Sequence, residues 1–147
     1  MENKTILLVE DNLDDETLTI RALQKANLAN KVVVARDGAE ALDYLLSRGQ
    51  YEGQNNLEDL AVVLLDLKLP KVDGIEVLKE IRKNPVVKFL PVVILTSSDE
   101  EEDLLKSYNF GANSYIKKPV DFEQFYEAVK QLGMYWLLIN RVPRNSE

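Results

Sequence analysis

"LAVVLLDLKLPKVDG", residues 60–74, decides the fold. Six apolar residues run without interruption up to Asp66, and Pro70 with the Asp73-Gly74 pair then signals a turn. Continuous rather than alternating apolarity marks a strand covered on both faces, as in a parallel sheet. Similar runs occur at "TILLV" (5–9), "VVVA" (32–35), "PVVILT" (91–96) and "SYIKK" (114–118). Between the runs, apolar residues fall at helical spacing. The stripes are Leu13, Thr17, Ile20, Leu23 and Leu28, then Ala41, Leu42, Leu45 and Leu46, then Ile75, Leu78 and Ile81. Two more follow, Leu104, Leu105 and Tyr108 (helix 98–109), and Phe122, Phe125, Tyr126, Val129 and Leu132 (from 121 onward). A strand followed by a helix, repeated along the chain, predicts an α/β fold: a doubly wound parallel sheet with helices on both faces. The polar stretch "SRGQYEGQNN" (47–56) predicts a long loop before the third strand.

The chain has 147 residues, 46% of them hydrophobic, enough for one domain with one continuous core. A net charge of −7 argues against nucleic acid as a partner, because phosphate binding needs clustered Lys and Arg. No secretory leader is visible and no apolar run is long enough to span a bilayer, so a cytoplasmic protein with no membrane partner is expected. The absence of Cys suits a reducing compartment. The absence of His removes Ser-His and Cys-His nucleophiles and the commonest transition-metal ligand. Carboxylates, hydroxyls and lysines remain.

In doubly wound sheets ligands bind at the carboxyl ends of the strands. Those ends carry Glu10 and Asp11 after the first strand, Asp66 at the third, Thr96 at the fourth and Lys118 at the fifth. Each has an ordinary reading when taken alone: a solvated loop acid, a strand-end hydroxyl, a surface lysine. Their convergence on one edge is what points to chemistry. Three clustered carboxylates repel one another and call for a cation; an oxygen-only donor set favours Mg2+, with Mn2+ as a substitute. Asp66, ending the most apolar strand, is the candidate nucleophile, since a carboxylate can attack phosphorus to form an acyl phosphate. Thr96 could then bond one phosphoryl oxygen and Lys118 pair with another.

The motifs "VEDN" (9–12), "LLDLKLPKVDG" (64–74), "ILTSS" (94–98) and "SYIKKP" (114–119) together resemble the receiver domain of two-component response regulators. The resemblance spans residues 4 to about 132 and implies the flavodoxin-like strand order 2-1-3-4-5. It implies Asp66 as phosphoacceptor, Mg2+ held by Glu10, Asp11, Asp66 and the backbone carbonyl of Lys68, and Thr96 with Tyr115 as a switch pair. It further implies that Lys118 contacts the phosphoryl group, that a cis peptide bond precedes Pro119, and that the chain phosphorylates and dephosphorylates itself. Phosphorylation adds about −1.5 to −2 charge at Asp66. Thr96 would be drawn toward that charge and Tyr115 into the space it leaves, changing a protein-binding surface.

No DNA-binding segment follows, so a stand-alone response regulator in a phosphorelay is expected, fed by a partner histidine kinase or phosphotransfer protein. The division expected is a receiver domain over 1–132 and an apolar extension over 133–147. The stretch "LGMYWLLINRVPRNSE" (132–147) holds more apolar surface than one helix hides against its own sheet. It is expected to form a homodimer interface with Phe122, Tyr126, Tyr135, Trp136, Leu137 and Ile139; the alternative is a tail folded over its own core. The long loop and the tail also resemble the small response regulators paired with bacterial and cyanobacterial phytochromes, which implies a light-regulated kinase as partner.

Three other readings compete. A Mg-dependent aspartyl-phosphate phosphatase of the haloacid-dehalogenase type would want an Asp two residues after its nucleophile, where this chain has Lys68. A nucleotide- or flavin-binding domain would want a Gly-rich loop where this chain has the acidic "VEDNLDD". A phosphorylation-independent scaffold would have no need of Asp66, Thr96 and Lys118 together.

Overall fold

The computed structural model describes residues 5–27, 31–96, 106, 108–117 and 122–134. Strands β1 (Thr5–Val9), β2 (Lys31–Ala35), β3 (Leu60–Leu65), β4 (Val92–Thr96) and β5 (Ser114–Lys117) form one all-parallel sheet in the order β2-β1-β3-β4-β5. Helices α1 (Leu13–Lys25), α2 (Gly38–Leu46), α3 (Gly74–Lys83) and α4 (Phe122–Met134) are described in full, and Lys106, Tyr108 and Asn109 are helical. The strands lie within a residue of their expected bounds. The rest of the expected helix 98–109, Lys118 and Pro119 with the bond between them, and residues 135–147 lie outside the described residues.

Alternate residues of the central strands serve opposite faces, which is why their sequences are apolar without alternation. Leu7, Val9, Val63, Leu65, Val92 and Ile94 pack against Ala41 and Leu45 of α2 and Val77, Leu78 and Ile81 of α3. Ile6, Leu8, Val62, Leu64, Val93 and Leu95 pack on the other side against Ala22 and Leu23 of α1, with Phe122 and Tyr126 of α4 alongside.

The expected stripe of α1 holds at Leu23, which is buried, and at Ile20, which packs against the same core cluster, but fails at the start of the helix. Leu13 is 66% exposed and Thr17 is exposed, its hydroxyl donating to the Leu13 carbonyl at 2.9 Å. Thr19 and Ala22 are buried with Leu23 in place of Leu13 and Thr17. Leu13 opens the helix at the end of the sheet, where no neighbour among the described residues covers it.

Three helices begin directly after the sheet's carboxyl edge, each with a side-chain cap at its N-terminus. Asn12 accepts from the Asp15 amide at 2.9 Å, Asp37 from Glu40 at 2.8 Å and Asp73 from Glu76 at 3.0 Å. Such caps satisfy amides that the helix leaves unpaired, and the acidic residue at the third position suits the helix dipole. The strand-to-helix turns that carry the candidate site are thereby held at both ends.

Candidate metal and phosphoryl site

β1 and β3 are adjacent, and the chain leaves them in opposite directions, toward β2 and toward β4. Connections that diverge in this way open a crevice at the strands' carboxyl ends. Glu10 and Asp11 follow β1 there, and Asp66 follows β3. One carboxylate oxygen from each of Glu10, Asp11 and Asp66 lies within 4.8 Å of the other two. Glu10 and Asp66 are almost fully buried, with 1% and 7% exposure, whereas Asp11 is exposed.

Backbone contacts fix the two buried acids. The Asn12 amide donates to Glu10 Oε2 at 3.2 Å, and the Glu10 amide donates to the Ala35 carbonyl at 2.9 Å. The Asp66 amide donates to the Val9 carbonyl at 3.1 Å, which ties the two strand ends together, and the Lys68 amide donates to Asp66 Oδ1 at 3.1 Å. Asn12, absent from the expected site set though it closes the "VEDN" motif, therefore both caps α1 and orients Glu10.

Two like charges at the separation within this cluster repel by roughly 3–4 kcal/mol at an effective dielectric of about 20. A hard divalent cation fits the donor set: neighbouring oxygens on a Mg2+ ion bound at 2.0–2.1 Å are about 3 Å apart and opposite ones about 4 Å. Carboxylates already this close need small movements to meet such an ion. Two bear on a buried floor and the third on solvent, so the site has a rigid side and an entry.

The loop after Asp66 is tightly constrained. A β-carbon on Gly74 would lie 2.3 Å from the Asp66 carbonyl oxygen and 2.6 Å from Leu67 Cα, so only glycine lets α3 start this close to Asp66. Lys71 adopts φ 67, a strained value for a residue with a side chain, and its ammonium lies 3.5 Å from Asp37 Oδ2. The rim nearby mixes charges and apolar groups: Lys68, Lys79 and Lys106 with Leu69, Ile75 and Phe110 line the cleft that opens beside Asp11.

β4 places Thr96 level with Lys117 and Ile94 level with Tyr115. Tyr115 is half-buried and packs against the core cluster beneath α2 and α3. The Thr96 side chain and the whole of Lys118 lie outside the described residues, so of the expected set the structure gathers the Glu10, Asp11 and Asp66 carboxylates, with Lys68 next to them through its amide on Asp66. Of the expected dimer residues, Phe122 and Tyr126 stack on each other, with Lys25 of α1 above both rings. Lys25 also pairs with Glu123 at 3.2 Å. Tyr135, Trp136, Leu137 and Ile139 lie outside the described residues. Among the described residues no helix is long and apolar enough to cross a membrane.

The family model of the response regulator receiver domain matches residues 6–130. Among curated proteins, "Probable methanogenesis regulatory protein FilR2" of Methanothrix harundinacea is 43% identical over 138 residues, 94% of this chain and 86% of its own. "Response regulator Rcp1" of Synechocystis is 39% identical over 134 residues, 91% of this chain and 89% of its own. A crystal structure of Rcp1 in its Mn2+-bound form is similar with a TM-score of 0.83 at 38% identity, over 95% of this chain and 99% of that one. The crystal structure of the phosphorylated cyanobacterial phytochrome response regulator RcpA is similar with a TM-score of 0.87 at 40% identity, over 97% of this chain and 99% of that one.

Proposed function

The chain belongs to the response regulator receiver family, and on that premise we propose that Asp66 accepts a phosphoryl group from the phosphohistidine of a partner histidine kinase or phosphotransfer protein. The observation that carries this reading is the gathering of Glu10, Asp11 and Asp66 at the carboxyl ends of β1 and β3. An Asp66 carboxylate oxygen attacks phosphorus, the new O–P bond forms as the donor's P–N bond breaks, and the electron pair leaves on the donor imidazole. Glu10, Asp11, Asp66 and the Lys68 carbonyl would hold Mg2+. A divalent cation bound there supplies charge neutralisation for the phosphoryl oxygens.

The chain's own residues do the positioning. Asn12 and Lys68 direct their amides at Glu10 and Asp66. Asp11, exposed beside the two buried acids, marks the side from which the donor is proposed to approach. Thr96 and Lys118 are proposed to bind phosphoryl oxygens, and Thr96 with Tyr115 to pass the added charge to the surface formed by 98–109, β5 and α4. The reading assigns residues 1–132 to the receiver and 133–147 to an apolar extension; α4 running on to Met134 supports an extension that begins inside the helix. A homodimer through α4 and that extension is proposed as the output.

Rcp1 and RcpA favour a phytochrome kinase as the donor, because RcpA is a phytochrome response regulator by description and similar along nearly its whole length. The likeness to FilR2 makes a donor unconnected with light the competing case. Incubation with a radiolabelled phytochrome histidine kinase and, in parallel, an unrelated hybrid kinase tests this. Rapid label transfer to the wild type and none to Asp66→Asn supports the phosphoacceptor; transfer from the unrelated kinase at an equal rate would overturn the phytochrome assignment.

A further inference from the structure

The segment 47–59 packs back against α2 before the chain enters β3, the Asn56 side-chain amide donating to the Tyr44 carbonyl at 3.1 Å. Tyr51 meets Tyr44 edge-on, with ring centroids 5.1 Å apart, and its hydroxyl donates to Glu40 Oε2 at 3.0 Å. The other oxygen of Glu40 accepts the Arg36 amide at 3.0 Å. A half-buried carboxylate with both oxygens engaged cannot turn without breaking both bonds. From this we infer that Glu40 is a positioning residue through which segment 47–59 steadies the carboxylate site, an inference that rests on the reading of Glu10, Asp11 and Asp66 as a divalent-cation site.

Two lines of contact lead from Glu40 to the site. On the first, the Arg36 guanidinium forks onto Glu16, with Nη1 on Oε1 and Nη2 on Oε2, the latter at 3.3 Å. The Glu16 amide donates to the Asn12 carbonyl at 2.9 Å, and the Asn12 amide donates to Glu10 Oε2 at 3.2 Å. On the second, the Glu40 amide donates to Asp37 Oδ1, whose Oδ2 faces Lys71, while the Gly38 amide donates to the Pro70 carbonyl at 3.4 Å. Pro70 and Lys71 belong to the loop that follows Asp66. An ordinary helix-capping acid would need only its bond to the turn; the bond to Tyr51, eleven residues on in sequence, joins the segment to both arms.

Spatial succession is not coupling, so the test measures coupling directly. Tyr51→Phe removes one hydroxyl, and Arg48→Ala breaks the pair that joins the segment to Asp43 of α2 without touching Glu40 or Arg36. Amide exchange in the metal-free full chain is followed at Asp15 and Glu16, the amides held by Asn12. Mn2+ affinity is measured on the same proteins by the paramagnetic resonance of the free ion. Tyr51→Phe is expected to speed both amides and weaken Mn2+ by about fivefold, the low end of coupling between distant sites. Arg48→Ala is expected to change neither. Adding Tyr51→Phe to Arg36→Gln is expected to weaken Mn2+ by less than Tyr51→Phe does in the wild type, since the first line is then already cut and only the second remains. Unchanged amides in Tyr51→Phe, equal loosening in Arg48→Ala, or loosened amides with unchanged Mn2+ affinity would overturn the inference. Absence of Mn2+ binding in the wild type would instead contradict the metal reading, and the amide pattern alone would then decide the link through Glu40.

Discussion

Gly74 lies against the backbone of Asp66 so closely that a β-carbon would stand 2.3 Å from the Asp66 carbonyl oxygen. The start of α3 and the candidate nucleophile are therefore one packed unit, and Gly74→Ala is a test of that unit. The overlap involves backbone atoms, so relief requires shifting either α3 or the 66–67 peptide. The expected cost is about 2–3 kcal/mol in urea unfolding, with weakened Mg2+ binding in the fraction that folds. Unchanged Mg2+ affinity would mean that the helix moves and Asp66 does not.

Without metal, the like charges of the carboxylate cluster are expected to oppose folding. Asp66→Asn removes one of three mutually repelling charges and is expected to raise metal-free stability by about 1–3 kcal/mol. Saturating Mg2+ should reverse the advantage, since a cation at 100-fold its Kd stabilises the wild type by about 2.7 kcal/mol. Thermal unfolding of both proteins with and without chelator checks the reversal.

Arg82 reaches across the other end of the sheet. Its guanidinium donates to the carbonyls of Gly111, Lys88 and Leu90 and to Asn113 Oδ1, at 2.7–2.9 Å. Burial holds the guanidinium below its ordinary pKa. A lysine carries the same charge with no planar fork, so Arg82→Lys leaves several of these acceptors unmet. A loss of about 2–4 kcal/mol is expected, read by urea unfolding, with amide exchange at Val92 and Asn113 accelerated first.

Tyr44 and Tyr51 hold their hydroxyl protons above the ordinary value of 10.0, both chiefly through burial and Tyr51 also through its bond to Glu40. A folded-state pKa above the unfolded one contributes stability that is complete below the unfolded value and lost as pH rises through the folded one. Urea unfolding between about pH 9 and pH 11 should show falling stability with rising pH, and a shallower fall in Tyr51→Phe.

The sheet was legible because burial on both faces leaves uninterrupted apolar runs, and β1, β3 and β4 have them. The acidic half of the site was legible because the ends of such strands converge, so Glu10, Asp11 and Asp66 could be grouped before any coordinate. The face of α1 was legible at Ile20 and Leu23 but not at the helix start, since Leu13 fits the helical spacing yet is left exposed. Contacts that depend on a segment's return path leave no local pattern: Tyr51 on Glu40 and Arg82 on Gly111 join residues whose partners are set by the tertiary fold.

The most direct measurement is intact mass after incubation with acetyl phosphate and Mg2+, for the wild type and Asp66→Asn, each with and without chelator. The account predicts one added phosphoryl group on the wild type, lost with chelator and absent from the mutant. An added group that persists in Asp66→Asn, or that forms equally well with chelator, would contradict the assignment of Asp66 and its carboxylate neighbours as a metal-assisted phosphoacceptor.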